Sequence, residues 1–138
     1  MKTLYLDELS VGQSAQMVRT VTEADIVQFA EVSGDNNPVH LDEAFAAQTP
    51  FKTRIAHGML SAAYISAVIG TQLPGPGTIY MQQALRFKRP VKIGDEVTTV
   101  ATITEIDPVK GRVSLDTVCL VGGKPVIEGE ALVMVPRK

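Results

Sequence analysis

The second half of the chain alternates between apolar and polar residues with the period of two that is typical of β-strands. This alternation predicts four strands, at residues 79–87, 97–106, 113–121 and 127–135. The segments 108–111 and 122–123 contain turn-forming proline or glycine, and links this short join antiparallel neighbours. A weaker pattern at residues 16–19 predicts an additional early strand. The second half is therefore predicted to form an antiparallel sheet.

The first half of the chain has the helical period instead. Thr22 and Asp25 have the spacing of a capping box, and apolar residues then recur every three or four positions. Gly34 is placed to end this helix. Asp42 is placed to cap a short second helix through residues 43–47.

Residues 58–73 predict a further helix, which has small or apolar residues on nearly every side. A helix that is apolar all round is buried rather than lying on the surface. The Pro-Gly-Pro-Gly segment at 74–77 ends it. The simplest packing is a curved antiparallel sheet wrapped around this helix, which is an α+β fold. Because no linker divides the chain, we predict one domain over residues 1–138.

Composition narrows the classes of function. Of the 138 residues, 45% are hydrophobic and 20% are charged, and the net charge of −2 argues against nucleic acid as a partner. Polar residues interrupt the apolar run at 59–73, so it is too short to span a membrane. The single cysteine excludes an internal disulfide, and the N-terminus turns acidic before any apolar run begins. We predict a cytoplasmic protein with neither nucleic-acid nor membrane partners.

A loop predicted at residues 35–41, after the first helix, collects residues that are suited to acid–base chemistry. Asp35, Asn37 and His40 lie close together, and Pro38 restricts the residue before it to an extended conformation. Aspartate and histidine can both exchange protons near neutrality once the environment shifts their pKa values. Spacing alone leaves two interpretations open. Asp35 and His40 form an acid–base pair, or they are a turn-closing aspartate and a buried histidine.

His57 and Gly58 lie where the apolar helix begins. A helix N-terminus offers free backbone N–H groups and a partial positive charge, which would stabilise negative charge developing on a substrate oxygen. Glycine at position 58 would let a substrate approach closely, although it would equally permit a tight entry into the helix. For the His57 side chain we favour a capping or packing role that supports the site. Asp35, His40 and His57 are also a conceivable metal-ligand set, but their spacing is not specific and we predict no metal.

Three further features are weaker candidates. Ser66 has no base near it in the sequence, so spacing alone indicates a structural serine. Cys119 lies in a strand among alternating apolar residues and is predicted to be a core residue. A loose basic cluster could meet the phosphates of a ligand, although a solvated strand edge is the simpler interpretation. Its members are Arg86, Lys88, Arg89 and Lys92.

The chain resembles the MaoC-like hydratases, and among them the bacterial R-specific enoyl-CoA hydratases of polyhydroxyalkanoate synthesis. The resemblance lies in Ser-Gly-Asp-Asn-Asn-Pro-Val-His at 33–40, in Phe51, and in the segments 54–60, 85–91 and 94–97. It extends over most of the chain, and the first of these motifs is specific. The resemblance strongly favours the acid–base interpretation of the loop.

The resemblance implies a single hotdog fold, in which an antiparallel sheet wraps a long helix, and a homodimer whose acyl pocket is shared by two chains. It implies that Asp35 and His40 hold and activate water and that the backbone N–H of Gly58 forms the oxyanion hole. It also implies supporting roles for Asn37 and Ser66. The reaction would be the reversible hydration of trans-2-enoyl-CoA to (R)-3-hydroxyacyl-CoA, with no metal or organic cofactor.

Two other functions remain open. A hotdog thioesterase, or a dehydratase acting on acyl carrier protein, would use a carboxylate on the central helix, and residues 58–73 contain neither Asp nor Glu. A non-catalytic acyl-CoA binding module would need the pocket but not the acid–base pair. Such a module should keep its affinity when Asp35 and His40 are both replaced.

Overall fold

Five antiparallel strands form one sheet in the computed structural model, which describes residues 1–138. The strand order across the sheet is β1-β3-β4-β5-β2. This confirms the four predicted strands and the weaker early one, and the turns at 108–111 and 122–123 join antiparallel neighbours as expected. The strands are β1 (Ser14–Thr20), β2 (Ile79–Phe87), β3 (Glu96–Asp107), β4 (Arg112–Val121) and β5 (Lys124–Met134).

The helices are α1 (Glu23–Ser33), α2 (Pro38–Leu41), α3 (Glu43–Ala46) and α4 (Gly58–Thr71), and a 3₁₀ turn lies at Leu6–Glu8. The predicted capping box of α1 is present, because Thr22 Oγ1 accepts from the Asp25 backbone and the Asp25 carboxylate accepts from the Thr22 backbone. Gly34 ends α1 in the left-handed conformation, with φ of 79°.

The segment that was predicted to be loop, residues 35–41, is partly helical. Pro38 occupies the first helical position of α2, where its fixed φ is favourable and its missing N–H costs no hydrogen bond. The Asn37 side chain caps the turn by accepting from the Val39 N–H at 3.1 Å. The prediction was wrong because a single helical turn is too short to show an apolar period.

Helix α4 packs one face against the sheet, where it contacts β1, β3 and β4. The buried residues of this face are Leu60, Ser61, Tyr64, Ile65, Val68 and Ile69. They meet alternating inward residues of the strands, such as Ala101 and Cys119, which are both fully buried. The core position predicted for Cys119 is thereby confirmed.

The opposite face of α4 is exposed, with Met59, Ala63, Ser66 and Gly70 at the surface of the chain. The prediction of a helix buried on every side is therefore wrong for the single chain. The sheet covers α4 from one side only, so its apolar outer face has no cover within this chain. No helix in the structure is long and apolar enough to cross a membrane.

Candidate active site

Three chemically active side chains converge where the loop after α1 meets the start of α4. The ligand atoms of Asp35, His40 and His57 all lie within 4.8 Å of one another. Asp35 is exposed, whereas His40 and His57 are buried. The two residues predicted from the loop are thus brought together, and a histidine from a distant segment joins them. Two imidazoles and a carboxylate can also ligate a divalent metal ion.

The loop that carries Asp35 is fixed by hydrogen bonds to its own side chains. Ser33 Oγ accepts from the Asp35 N–H at 3.1 Å, and Asp35 Oδ1 accepts from the Asn37 N–H at 3.3 Å. Asn37 then caps α2, which carries His40. Each side chain closes a short turn onto the residue two positions further on, which limits the conformations open to the acid and the imidazole.

His40 is held in one tautomer by the backbone. Its Nδ1 lies 2.8 Å from the carbonyl oxygen of Ile55. A carbonyl only accepts, so Nδ1 must carry the proton and Nε2 keeps its lone pair. Burial lowers the pKa of His40 from its ordinary 6.5, against an opposing effect of the Ile55 carbonyl, and the neighbouring His57 lowers it further. His40 is therefore neutral at pH 7, with Nε2 available as a proton acceptor.

His57 anchors the loop from the other side. Its Nε2 donates to the backbone carbonyl of Asp35 at 2.8 Å. Its ring stacks on His40, with the centroids 3.9 Å apart and the planes at 30°, and it also packs against Phe29. The expected packing role is confirmed, but the capping role is not, because the side chain makes no cap hydrogen bond to α4. The hydrogen bond to Asp35 was not predicted from the sequence.

Arg54 is a second anchor that sequence reasoning missed. Its Nε donates to the carbonyl of His40 at 2.7 Å, and its Nη1 pairs with Glu23 of α1 at 2.7 Å. The guanidinium thereby ties α2 to α1 through the rigid fork that arginine provides. Arg54 lies inside the 54–60 segment of the family resemblance, which was the one signal available for it.

A pocket of about 490 Å³ opens beside the N-terminus of α4. The backbone N–H groups of Gly58 and Met59 make no hydrogen bond there, as expected for the first turn of a helix. A Cβ on Gly58 would lie 2.6 Å from Phe87 Cε1, so glycine is needed because an aromatic ring packs directly on the helix start. The lining residues include Phe51, Ile55, His57, Gly58, Ser61, Phe87 and Val91.

The predicted basic cluster divides into two parts. Arg86 pairs with Glu130 across the strands at 2.9 Å, on the solvated side of the sheet. Lys88 and Arg89 line the pocket, and Arg89 also donates to the Pro125 carbonyl at 2.8 Å. The solvated-edge interpretation therefore fits Arg86, whereas Lys88 and Arg89 are exposed and also line the pocket.

Ser66 is not brought to the Asp35–His40 pair within this chain. It lies on the exposed outer face of α4, two turns beyond Gly58, and it does not line the pocket. A contact between Ser66 and a substrate would need a surface that a single chain does not close.

Comparisons with known proteins found relatives over nearly the whole chain. The model of the MaoC-like domain family matches residues 9–121. An (R)-specific enoyl-CoA hydratase of Rhodospirillum rubrum is 56% identical over 134 residues, which cover 97% of this chain and 93% of that protein. An unliganded R-hydratase of Pseudomonas aeruginosa has a TM-score of 0.93 at 52% identity, covering 99% of this chain and 88% of that one. An (R)-hydratase of Aeromonas caviae involved in PHA biosynthesis has a TM-score of 0.90 at 45% identity, and the match covers 93% of this chain and 98% of that one.

Proposed function

This chain belongs to the MaoC-like domain family, and from that premise we propose that it is an (R)-specific enoyl-CoA hydratase. Its single long helix against an antiparallel sheet is the hotdog fold of that family. The observation that carries the proposal is the meeting of Asp35 and His40 with His57, which lines a pocket into which the free N–H of Gly58 opens. The substrate is a trans-2-enoyl-CoA and the product an (R)-3-hydroxyacyl-CoA.

The proposed reaction uses His40 and Asp35 as one unit. His40 Nε2 accepts a proton from a water molecule that Asp35 also holds, while the water oxygen bonds to C3 of the enoyl thioester. The electron pair of the C2–C3 double bond moves toward the thioester oxygen, where the Gly58 N–H stabilises the developing charge. The Asp35–His40 pair then returns a proton to C2. Because water is activated by side chains alone, we propose no metal or organic cofactor.

The carrier of the acyl group is the second part of the proposal. Lys88 and Arg89 stand at the wall of the pocket, and neither side chain forms an ion pair within the chain. Two cations beside an apolar pocket suit the phosphates of coenzyme A. With coenzyme A thioesters as substrates and a single buried thiol, Cys119, we place the reaction in the cytoplasm.

The activity is tested directly with crotonyl-CoA. We expect the enoyl thioester to be lost at a rate well above background. The expected product is the R enantiomer of 3-hydroxybutyryl-CoA. Release of free thiol would instead indicate a thioesterase. Tight binding of crotonyl-CoA without turnover, unchanged when Asp35 and His40 are both replaced, would indicate a binding module and overturn the proposal.

We further propose that the partner of this chain is a second copy of itself, docked through β2 and the outer face of α4. Strand β2 is at the edge of the sheet, so one side of its backbone is unpaired. Exposed apolar side chains concentrate along it and on α4, which is unusual for a free edge. They are Met59, Ile79, Tyr80, Met81 and Phe87. Contact between the outer face of α4 and the second copy would also cover Ser66.

The double substitution Ile79→Lys/Met81→Lys should convert the protein from a dimer to a monomer, because lysines on an edge strand block strand pairing. Light scattering after gel filtration would report a fall from twice 14.8 kDa to 14.8 kDa. Val18→Lys is the matched control, since Val18 is exposed on β1, the opposite edge of the sheet. A wild-type protein of 14.8 kDa in solution would contradict the dimer.

A further inference from the structure

Two buried polar atoms beside the pocket have no hydrogen-bond partner in the structure. They are Oγ of Ser61, a residue that is 0% exposed, and Nδ1 of His57, a residue that is 2% exposed. Both residues line the pocket next to Gly58. Buried polar atoms are almost always paired in folded proteins, so unpaired ones at a site call for an explanation.

Ser61 shares its unpaired state with the buried Tyr64 hydroxyl of α4, but of these two residues Ser61 alone lines the pocket. A hydroxyl inside a helix usually donates to the carbonyl four residues earlier, as Thr71 of α4 does to Ala67 at 2.6 Å. Ser61 makes no such bond. Its backbone is fixed, because its carbonyl accepts from Cys119 Sγ of β4 at 3.6 Å. The hydroxyl is therefore a donor that is held at a fixed place with nothing to donate to.

His57 presents the complementary group. Its Nε2 donates to the Asp35 carbonyl, so in the neutral ring Nδ1 is an unprotonated acceptor. His57 is the residue before α4 and Ser61 is the fourth residue in it. Side chains on a helix lean toward its N-terminus, so the Ser61 hydroxyl lies over the turn that His57 begins. An orphaned donor and an orphaned acceptor thus occupy the same end of the same pocket.

We propose that Ser61 is a positioning residue for this reaction, whose hydroxyl donates a hydrogen bond to Nδ1 of His57 during turnover. The bond fixes His57 in the tautomer that holds the Asp35 carbonyl, so Ser61 acts on Asp35 through His57 and touches no reacting atom. The inference rests on the proposed roles of Asp35 and His40.

The hydrogen bond is tested by nitrogen NMR of protein labelled in histidine, which is simple here because the chain has 2 histidines. Wild type and Ser61→Ala are compared free and with butyryl-CoA, a saturated thioester that cannot be hydrated. In wild-type protein we expect the chemical shift of His57 Nδ1 to be that of a nitrogen that accepts a hydrogen bond. In Ser61→Ala we expect this effect on the chemical shift to be absent. An identical Nδ1 resonance in both proteins, free and bound, would overturn the proposal.

Kinetics and stability separate this role from simple packing. Ser61→Ala should lower kcat on the order of tenfold with little change in KM, as expected when a reacting group is misplaced. Its Tm should not fall, because an unpaired hydroxyl is being removed. Ser61→Thr keeps the hydroxyl and should recover activity, and Thr71→Ala should behave as wild type. A raised KM with unchanged kcat would mean that Ser61 binds substrate directly, which contradicts the proposal. The NMR comparison needs no turnover, so it separates a failure of the Ser61 bond from a failure of the hydratase function.

Discussion

Replacing His40 with asparagine should lower kcat for crotonyl-CoA hydration by about 10²–10⁴-fold, the range for a positioned acid–base group. Asparagine can still donate to the Ile55 carbonyl as His40 Nδ1 does, but it offers nothing at the position of Nε2. The fold should therefore persist while the proton acceptor is lost. Initial rates at saturating substrate measure the change, with circular dichroism as the check on folding.

Asp35→Asn should lower kcat by a comparable factor. The double variant Asp35→Asn/His40→Asn should have a kcat only a little below that of the slower single variant. Residues that act as one unit show this non-additivity. Asp42→Asn is the matched control, because Asp42 is a nearby exposed carboxylate that caps α3 through the Phe45 N–H, and asparagine caps equally well. Fully additive losses for Asp35 and His40 would contradict a shared role in handling one water molecule.

The pH dependence provides a second check on the same pair. Burial lowers the pKa of His40 below its ordinary 6.5, so the neutral, proton-accepting form persists to lower pH than for a free histidine. The acidic limb of the kcat/KM profile should therefore have its midpoint below 6.5. A midpoint above 6.5 would mean that the environment of His40 stabilises its charged form, against the desolvation seen in the structure.

The sheet could be predicted from the sequence because its signals are local. Each strand alternates over its own length, and the inward residues of β3 and β4 that the alternation selects, such as Ala101 and Leu115, are buried except for the partly buried Val121. Turn residues fix the antiparallel pairing of β3, β4 and β5, whereas the pairing of β1 with β3 and of β2 with β5 joins strands that are not consecutive in the chain. The capping box at Thr22 is equally local, since both of its hydrogen bonds join residues three positions apart.

The parts that could not be predicted depend on contacts between distant segments. The bonds from His57 to Asp35 and from Arg54 to His40 span 22 and 14 positions, and no sequence period reports them. The tautomer of His40 likewise follows from the Ile55 carbonyl, which is a backbone atom. The prediction that α4 is buried on every side was also wrong for the single chain. An apolar outer face gives the same sequence pattern whether a sheet or a second chain covers it.

Removing the N–H of Gly58 should slow hydration by about 10²–10³-fold, which is the usual cost of losing one oxyanion donor. Gly58→Pro removes it, and proline fits the first position of a helix. His57, with φ of −58° and ψ of 132°, already has the extended conformation that a following proline demands. Because any side chain at position 58 would meet the Phe87 ring, the variant is made together with Phe87→Leu.

The matched control is Gly58→Ala with the same Phe87→Leu change, which keeps the N–H and adds a similar Cβ. Comparing kcat for the two double variants isolates the donor, since Phe87 also lines the pocket and its loss affects both proteins equally. If the proline and alanine variants hydrate crotonyl-CoA at the same rate, the thioester oxygen is not bound by Gly58. The free N–H of Met59 would then be the donor left at the start of α4, and the substrate would lie one residue further along the helix than proposed.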